Sequence, residues 1–179
     1  MVKDVKKQEK EAHKLLKDKF GFKNALEAPR LVKVVINVGT GSAIKKDSKR
    51  TALVIDRLTK ITGQKPATRG AKKSIAGFKL RQGEEIGVIV TLRSKMMYGF
   101  LNKLFNVAFP RTKDFRGISR KVVDNVGNLT LGIKEHTIFP ETHDEELRDV
   151  FGFAVTIATT AKNKETAEAF FEILGVPFR

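Results

Sequence analysis

The chain has 179 residues with 35 Lys or Arg against 20 Asp or Glu, a net charge of +15, and 41% of its residues are hydrophobic. That length and apolar content suit one compact domain and exclude a wholly disordered chain, while the absence of Cys excludes disulfides, thiolate metal sites and a cysteine nucleophile. Neither a signal-like apolar stretch near the N-terminus nor an apolar run long enough to cross a membrane is present, so a soluble protein of the cytoplasm is expected.

The charge is uneven: residues 1–59, 60–121 and 122–179 sum to +8, +12 and −5. In the middle block only Glu84, Glu85 and Asp114 oppose the cations. A compact fold carrying such an excess suits a polyanion as partner. An anionic membrane would call for a basic amphipathic helix with bulky apolar residues, whereas this block is broken by Gly, Pro and alternating residues.

In chain order, residues 1–19 read as a charged surface helix with Val5, Ala12, Leu15 and Leu16 as its apolar positions, ending at Phe20-Gly21-Phe22. Pro29 precedes a strand in which Val32, Val34, Ile36 and Val38 share one face and Lys33, Val35 and Asn37 the other. Beyond Gly39-Thr40-Gly41-Ser42, the residues Ala52, Leu53, Leu58 and Ile61 predict a second helix capped by Gly63. A short strand is expected from Gln64 to Ala71. The stretch of about 70–85, rich in Lys and Gly with neither period, reads as a long mobile basic loop.

Ile86, Val88, Val90 and Leu92 alternate with Gly87, Ile89, Thr91 and Arg93, which predicts a strand. A helix follows from Lys95 to about Val107 with Met97, Leu101, Leu104 and Phe105 inward and Pro110 beyond its end. Irregular chain leads to strands at LTLGIK, with Leu129, Leu131 and Ile133 inward, and FAVTIATT, with Phe153, Val155 and Ile157 inward. A last helix spans Lys164 to Leu174, closed by Gly175 and Pro177. The order predicts an α+β, two-layer sandwich: one mostly antiparallel sheet with helices on one face, a long basic loop, and a single domain over 1–179.

On the other face the strands place Lys33 and Asn37, Thr91 and Arg93, Thr130 and Lys134, and Thr156 and Thr160. An ordinary solvent-facing sheet accounts for Thr there, since Thr favours strands. Joined to the basic block, the same row suits a nucleic-acid platform, with cations for phosphate and Asn, Gln and Thr for sugar and base edges. RNA fits better than duplex DNA, because no helix-turn-helix or zinc-finger spacing occurs and a broad surface matches the shallow minor groove and 2′-hydroxyls of RNA. In predicted loops, Phe78 and Phe115 are candidates for base stacking.

Enzyme signatures fail in detail. The GTGS turn lacks the third glycine of a dinucleotide fingerprint, since residue 44 is Ile44, and lacks the Lys-Ser/Thr ending of a phosphate loop. His136, Glu141 and His143 have no metal-ligand helical spacing, and Asp144, Glu145 and Glu146 read as a solvated turn. No catalytic residue, metal or cofactor is expected. Rival readings are an enzyme of phosphorylated substrates using the GTGS turn, and a non-specific basic RNA-binding protein, RNA chaperone or membrane-surface protein.

The stretches LVKVVINVGTG (31–41), ITGQKPATRGAKKSIAGFKLRQGEEIGVIVTLR (61–93), FPRTKDFRGIS (109–119), GNLTLGIKEHTIFPE (127–141), TIATTAK (156–162) and GVPF (175–178) closely resemble the bacterial large-subunit ribosomal protein five family. They run in the family's order over nearly the whole chain. Val123 and Leu129 stand where the family often has aromatic residues.

The resemblance implies a non-enzymatic ribosomal role: binding 5S rRNA, attaching it to 23S rRNA in the central protuberance, approaching the peptidyl-site tRNA and touching small-subunit ribosomal protein thirteen. Positions matching the family's 5S contacts are Asn37, Gln64 and Thr91, with Arg93 adjacent and Lys33 on the same strand face as Asn37. Those matching its tRNA-reaching segment are Lys72, Lys73, Ser74, Phe78, Lys79 and Arg81. The region of Arg111, Lys113, Asp114, Phe115 and Arg116 corresponds to the subunit-bridge or rRNA contact.

Overall fold

The computed structural model describes residues 4–41, 50–113, 115–142 and 150–179. Its architecture is α+β in two layers, with four helices and an antiparallel five-stranded sheet of order β2-β3-β1-β5-β4. The strands are β1 (Leu31–Gly39), β2 (Ala67–Gly70), β3 (Glu85–Leu92), β4 (Leu129–Ile133) and β5 (Phe153–Thr159). The helices are α1 (Val5–Phe20), α2 (Arg50–Thr62), α3 (Ser94–Lys103, prolonged to Arg111) and α4 (Lys164–Ile173). Contacts along the chain group into two compact units, one of residues 1–34, 92–131 and 156–179, the other of 35–91 and 132–155.

In the first unit, α1 starts at Asp4, whose carboxylate accepts the Lys6 N–H (3.1 Å), and stops at Gly21, where a left-handed φ of 67° lets the N–H reach the Lys17 carbonyl at 2.8 Å. Its buried residues are Val5, Ala12 and Leu16, whereas Leu15, expected inward, is 61% exposed. One residue, Glu9, ties three elements together. It accepts the Leu31 N–H of β1 (2.8 Å) and the Tyr98 hydroxyl of α3, and burial together with that second bond pushes the Tyr98 phenol up to about 12. At the start of β1 Leu31 is buried and Val32, expected inward, is 40% exposed, so the alternation holds from Val34 onward.

Helix α3 buries Met97, Phe100, Leu101 and Leu104, with Phe105 only half-buried. It does not stop before Pro110. Residues Leu104–Ala108 form a π turn in which the Phe109 N–H reaches back to the Leu104 carbonyl, and a last α turn, Phe109–Arg111, contains the proline. A proline in an α-helix lacks its bond to the residue four back and crowds that carbonyl; here a widened turn directly precedes it and Pro110 sits in the first positions of the last α turn, where a missing N–H is tolerated.

In the second unit, α2 buries Thr51, Val54, Leu58 and Ile61. The expected Ala52 is exposed and Leu53 half-buried, because the phase set by Leu58 and Ile61 runs back through Val54 and Thr51. Strand β3 follows its predicted alternation, with Val88, Val90 and Leu92 buried. β2 pairs antiparallel with it in the register Ala67 to Ile89, Thr68 to Val88 and Arg69 to Gly87.

Candidate nucleic-acid interface

Alternation decides which side chains leave the core. On β1, Val34, Ile36 and Val38 are buried at 0–3% exposure, so Asn37 stands on the opposite face, and it is exposed. On β3 the same rule turns out Gly87, Ile89 and Thr91, each half-buried. Residues directly opposite in adjacent strands share a face, so the register adds Arg69, opposite Gly87, to that row. Arg69 is exposed, and Gly87 opposite it presents no side chain to crowd the guanidinium. Sequence reading missed Arg69, whose face follows only from the pairing of β2 with β3.

Gln64 belongs to the same unit and lies just past the end of α2. Gly63, at φ 71°, closes the helix with its N–H on the Thr59 carbonyl (2.8 Å). The buried Thr62 hydroxyl lies 2.7 Å from the Leu58 carbonyl and 3.0 Å from the Gln64 carbonyl, and accepts the Gln64 N–H at 3.3 Å. The Gln64 N–H is thus held by the Thr62 hydroxyl, whose one proton the two carbonyls share, while the residue stays exposed. Lys33 and Arg93 belong to the first unit; Lys33 is half-buried and Arg93 exposed at the start of α3.

The threonines of the first unit divide in role. Thr130 and Thr156 face each other across β4 and β5 at 3.2 Å. Thr160, expected on the polar face, has its hydroxyl committed to the Arg30 N–H at 2.9 Å and acts as a fold tie.

The basic loop has more internal structure than its lack of periodicity suggested. Ala71 donates to the Glu84 carbonyl (2.8 Å) and Gly83 to the Ala71 carbonyl (3.0 Å), forming a neck in which a Cβ on Gly70 would stand 2.9 Å from the Gly83 carbonyl oxygen. Nearer the tip, Ile75 and Leu80 exchange backbone bonds around a 3-10 turn, Ala76–Phe78, with Lys79 in the left-handed region at φ 51°. Lys72, Lys73, Ser74, Phe78, Lys79 and Arg81 are all exposed, Phe78 at 64%.

In the third candidate region Arg111, at the end of α3's last turn, Lys113 and Arg116 are exposed, and Asp114 lies outside the described residues. Phe115 is not an open stacking platform. Its ring lies 5.2 Å from that of Phe109, nearly parallel, and Phe109 stacks in turn on Phe105 at 5.9 Å.

The enzyme-like features resolve as structure where they are described. Thr40 is buried beneath the glycine turn, its N–H on the Ile86 carbonyl (2.9 Å), and Ser42 lies outside the described residues. His136 is a core residue stacked on Phe151 at 4.2 Å, its Nδ1 accepting the Phe151 N–H at 3.3 Å. His143, Asp144, Glu145 and Glu146 lie outside the described residues. Among the described residues, no three His, Cys, Asp or Glu side chains gather as metal ligands, and no helix is long and apolar enough to cross a membrane.

Comparison with known proteins accounts for both parts of the chain. Residues 24–81 match the family model for ribosomal protein L5, and residues 85–178 match the model for the C-terminus of the same ribosomal family. The chain is 53% identical over 164 residues to large ribosomal subunit protein uL5 of Desulfatibacillum aliphaticivorans, covering 92% of this chain and 91% of the relative. It is 48% identical over 172 residues to that of Thermoanaerobacter sp. (strain X514), covering 96% of each. To that of Heliobacterium modesticaldum it is 52% identical over 161 residues, covering 90% of this chain and 89% of the relative. With an RNA-compatible sheet face and basic loop on a chain matched nearly end to end, the protein belongs to the ribosomal protein L5 family, non-enzymatic structural constituents of the large ribosomal subunit.

Proposed function

We propose that the chain binds 5S rRNA and attaches it to 23S rRNA in the central protuberance, working in the cytoplasm as part of the ribosome. The observation that carries this reading is the accessible polar row Asn37, Thr91 and Arg69 with Gln64 in a strongly basic chain. Asn37, Gln64 and Thr91 make directional bonds that set register on a folded RNA loop. Lys33, Arg93 and Arg69 supply phosphate contacts, so that counterion release provides much of the affinity. The basic loop meets the peptidyl-site tRNA, and the segment around Arg111, Lys113, Asp114 and Arg116 meets rRNA or small-subunit ribosomal protein thirteen.

A mobility-shift titration against 5S rRNA with unlabelled tRNA as competitor, at several salt concentrations, tests the reading. Binding that resists the competitor and weakens with salt supports it. Equal competition by tRNA replaces it with a non-specific RNA binder or chaperone. Asn37→Ala is expected to weaken cognate binding about five- to twenty-fold at an unchanged salt slope, since it removes a directional bond and no charge.

A further inference from the structure

Ser74 and Glu84 stand in the basic loop with their side chains turned on its own backbone. The Ser74 hydroxyl accepts the Gln82 N–H across the loop at 3.0 Å. Glu84 Oε2 accepts the Arg81 N–H at 3.0 Å, while the Glu84 N–H reaches the Arg81 carbonyl at 3.2 Å. The Ser74 bond lies between the neck and the bridge of Ile75 with Leu80, and Glu84, whose carbonyl belongs to the neck, reaches from there to Arg81. Backbone bonds therefore hold the base and the tip, and side chains hold the middle.

We infer that Ser74 and Glu84 are positioning residues that order the basic loop before RNA arrives, so that Ile75 and Phe78 stand outward among Lys72, Lys73, Lys79 and Arg81. The inference rests on the reading above that this loop meets tRNA, and it gives Ser74 a role other than contact. Exposure supports it: Ile75 is 47% and Phe78 64% exposed, an apolar pair that a collapsing loop would bury. The bonded backbone instead presents both with the cations around them. An apolar pair ringed by cations fits unstacked bases and their phosphates better than a paired helix. Fixing that arrangement in advance lowers the ordering entropy lost on binding.

The test uses the full chain for amide exchange and large subunits reconstituted with each variant for binding of deacylated tRNA. Ser74→Ala and Glu84→Ala are expected to speed exchange at Gln82 and Arg81 respectively by roughly ten-fold, and to weaken tRNA binding about two- to ten-fold with 5S affinity unchanged. Ser74→Thr and Glu84→Gln keep an acceptor oxygen and are expected to restore both readouts. Weakened tRNA binding with normal exchange would overturn the inference and make these residues contacts. Fast exchange with normal tRNA binding would overturn it by showing that the ordering is not used. A Phe78→Ala, Lys72→Ala, Lys73→Ala variant separates the premise: if it leaves tRNA binding intact, the loop is not the tRNA site, whereas exchange still reports whether Ser74 and Glu84 order it.

Discussion

Two segments, 70–85 and 109–128, look alike as sequence: both are basic, both carry an aromatic residue, and neither has a helix or strand period. Their side chains are used in opposite ways. In the first, Phe78 and four cations are exposed, and the ties are backbone bonds with the Ser74 and Glu84 side chains turned on that backbone. In the second, Phe115 lies on Phe109, and Arg120 pairs with Glu168 (3.5 Å) and Glu172 while its guanidinium sits 5.4 Å from the centre of the Phe178 ring. Asp124 closes the turn by accepting the N–H groups of Val126 (3.0 Å) and Asn128 (2.7 Å). Composition alone does not separate the two segments; what differs is how far the side chains stand exposed, Phe78 at 64% against a half-buried Phe115 stacked on Phe109.

The sharpest break of this contrast uses glycines. Gly127 has φ 89°, and a Cβ there would meet the Ala161 Cβ at 2.6 Å, whereas Gly77 at the loop tip has open space around it. Gly127→Ala is expected to cost about 2–4 kcal/mol and Gly77→Ala within about 0.5 kcal/mol, read from urea midpoints. Next, Phe115→Ala should cost about 1–2 kcal/mol for its lost stack, against about 0.5 kcal/mol or less for Phe78→Ala. Equal losses would mean that Phe78 is packed as firmly as Phe115.

Charge removal gives a smaller and opposite pair of outcomes. Arg120→Ala should lower the Tm, by less in high salt, because Glu172 and Glu168 lose their shared cation and only Glu168 keeps another, Lys164 at 3.9 Å. Lys72→Ala with Lys73→Ala should leave the Tm unchanged or slightly raised and spare 5S binding, while weakening tRNA binding and flattening its salt dependence. The smallest effect concerns pH. Partial burial pushes the Asp124 carboxyl up, but the N–H groups of Asn128, Val126 and Gly127 and the Asn128 amide outweigh it and hold the carboxyl below the usual aspartate value. A lowered folded value means the stabilisation is present at neutral pH and is lost as pH falls through that value. Asp124→Asn should therefore reduce stability at pH 7 and flatten the acid limb of a pH titration of Tm.

Much of this was legible in the sequence for a physical reason. Strand alternation has a period of two, so Asn37 and Thr91 could be assigned to the outer face without knowing what covers the inner one. Arg69 escaped because β2 has four residues, all exposed, and its face follows only from pairing with β3. The phase of α2 was misread at Ala52 and Leu53 because neighbouring aliphatics offer two overlapping stripes, and only packing selects one. Pro110 was placed outside its helix because the rule against internal proline assumes α geometry, and a π turn suspends that assumption. The fate of Phe115 and the bonds of Ser74 depend on residues brought close by folding, and no local pattern carries them.

The Thr62 hydroxyl also has a mechanical meaning. By accepting the Gln64 N–H while its single proton serves the Leu58 and Gln64 carbonyls, it links the residue beyond α2 directly to the last turn of the helix. A force applied at Gln64 is therefore passed to the last turn of α2 and the core beneath Leu58 rather than absorbed by a compliant linker, so that position behaves as an anchor rather than a spring.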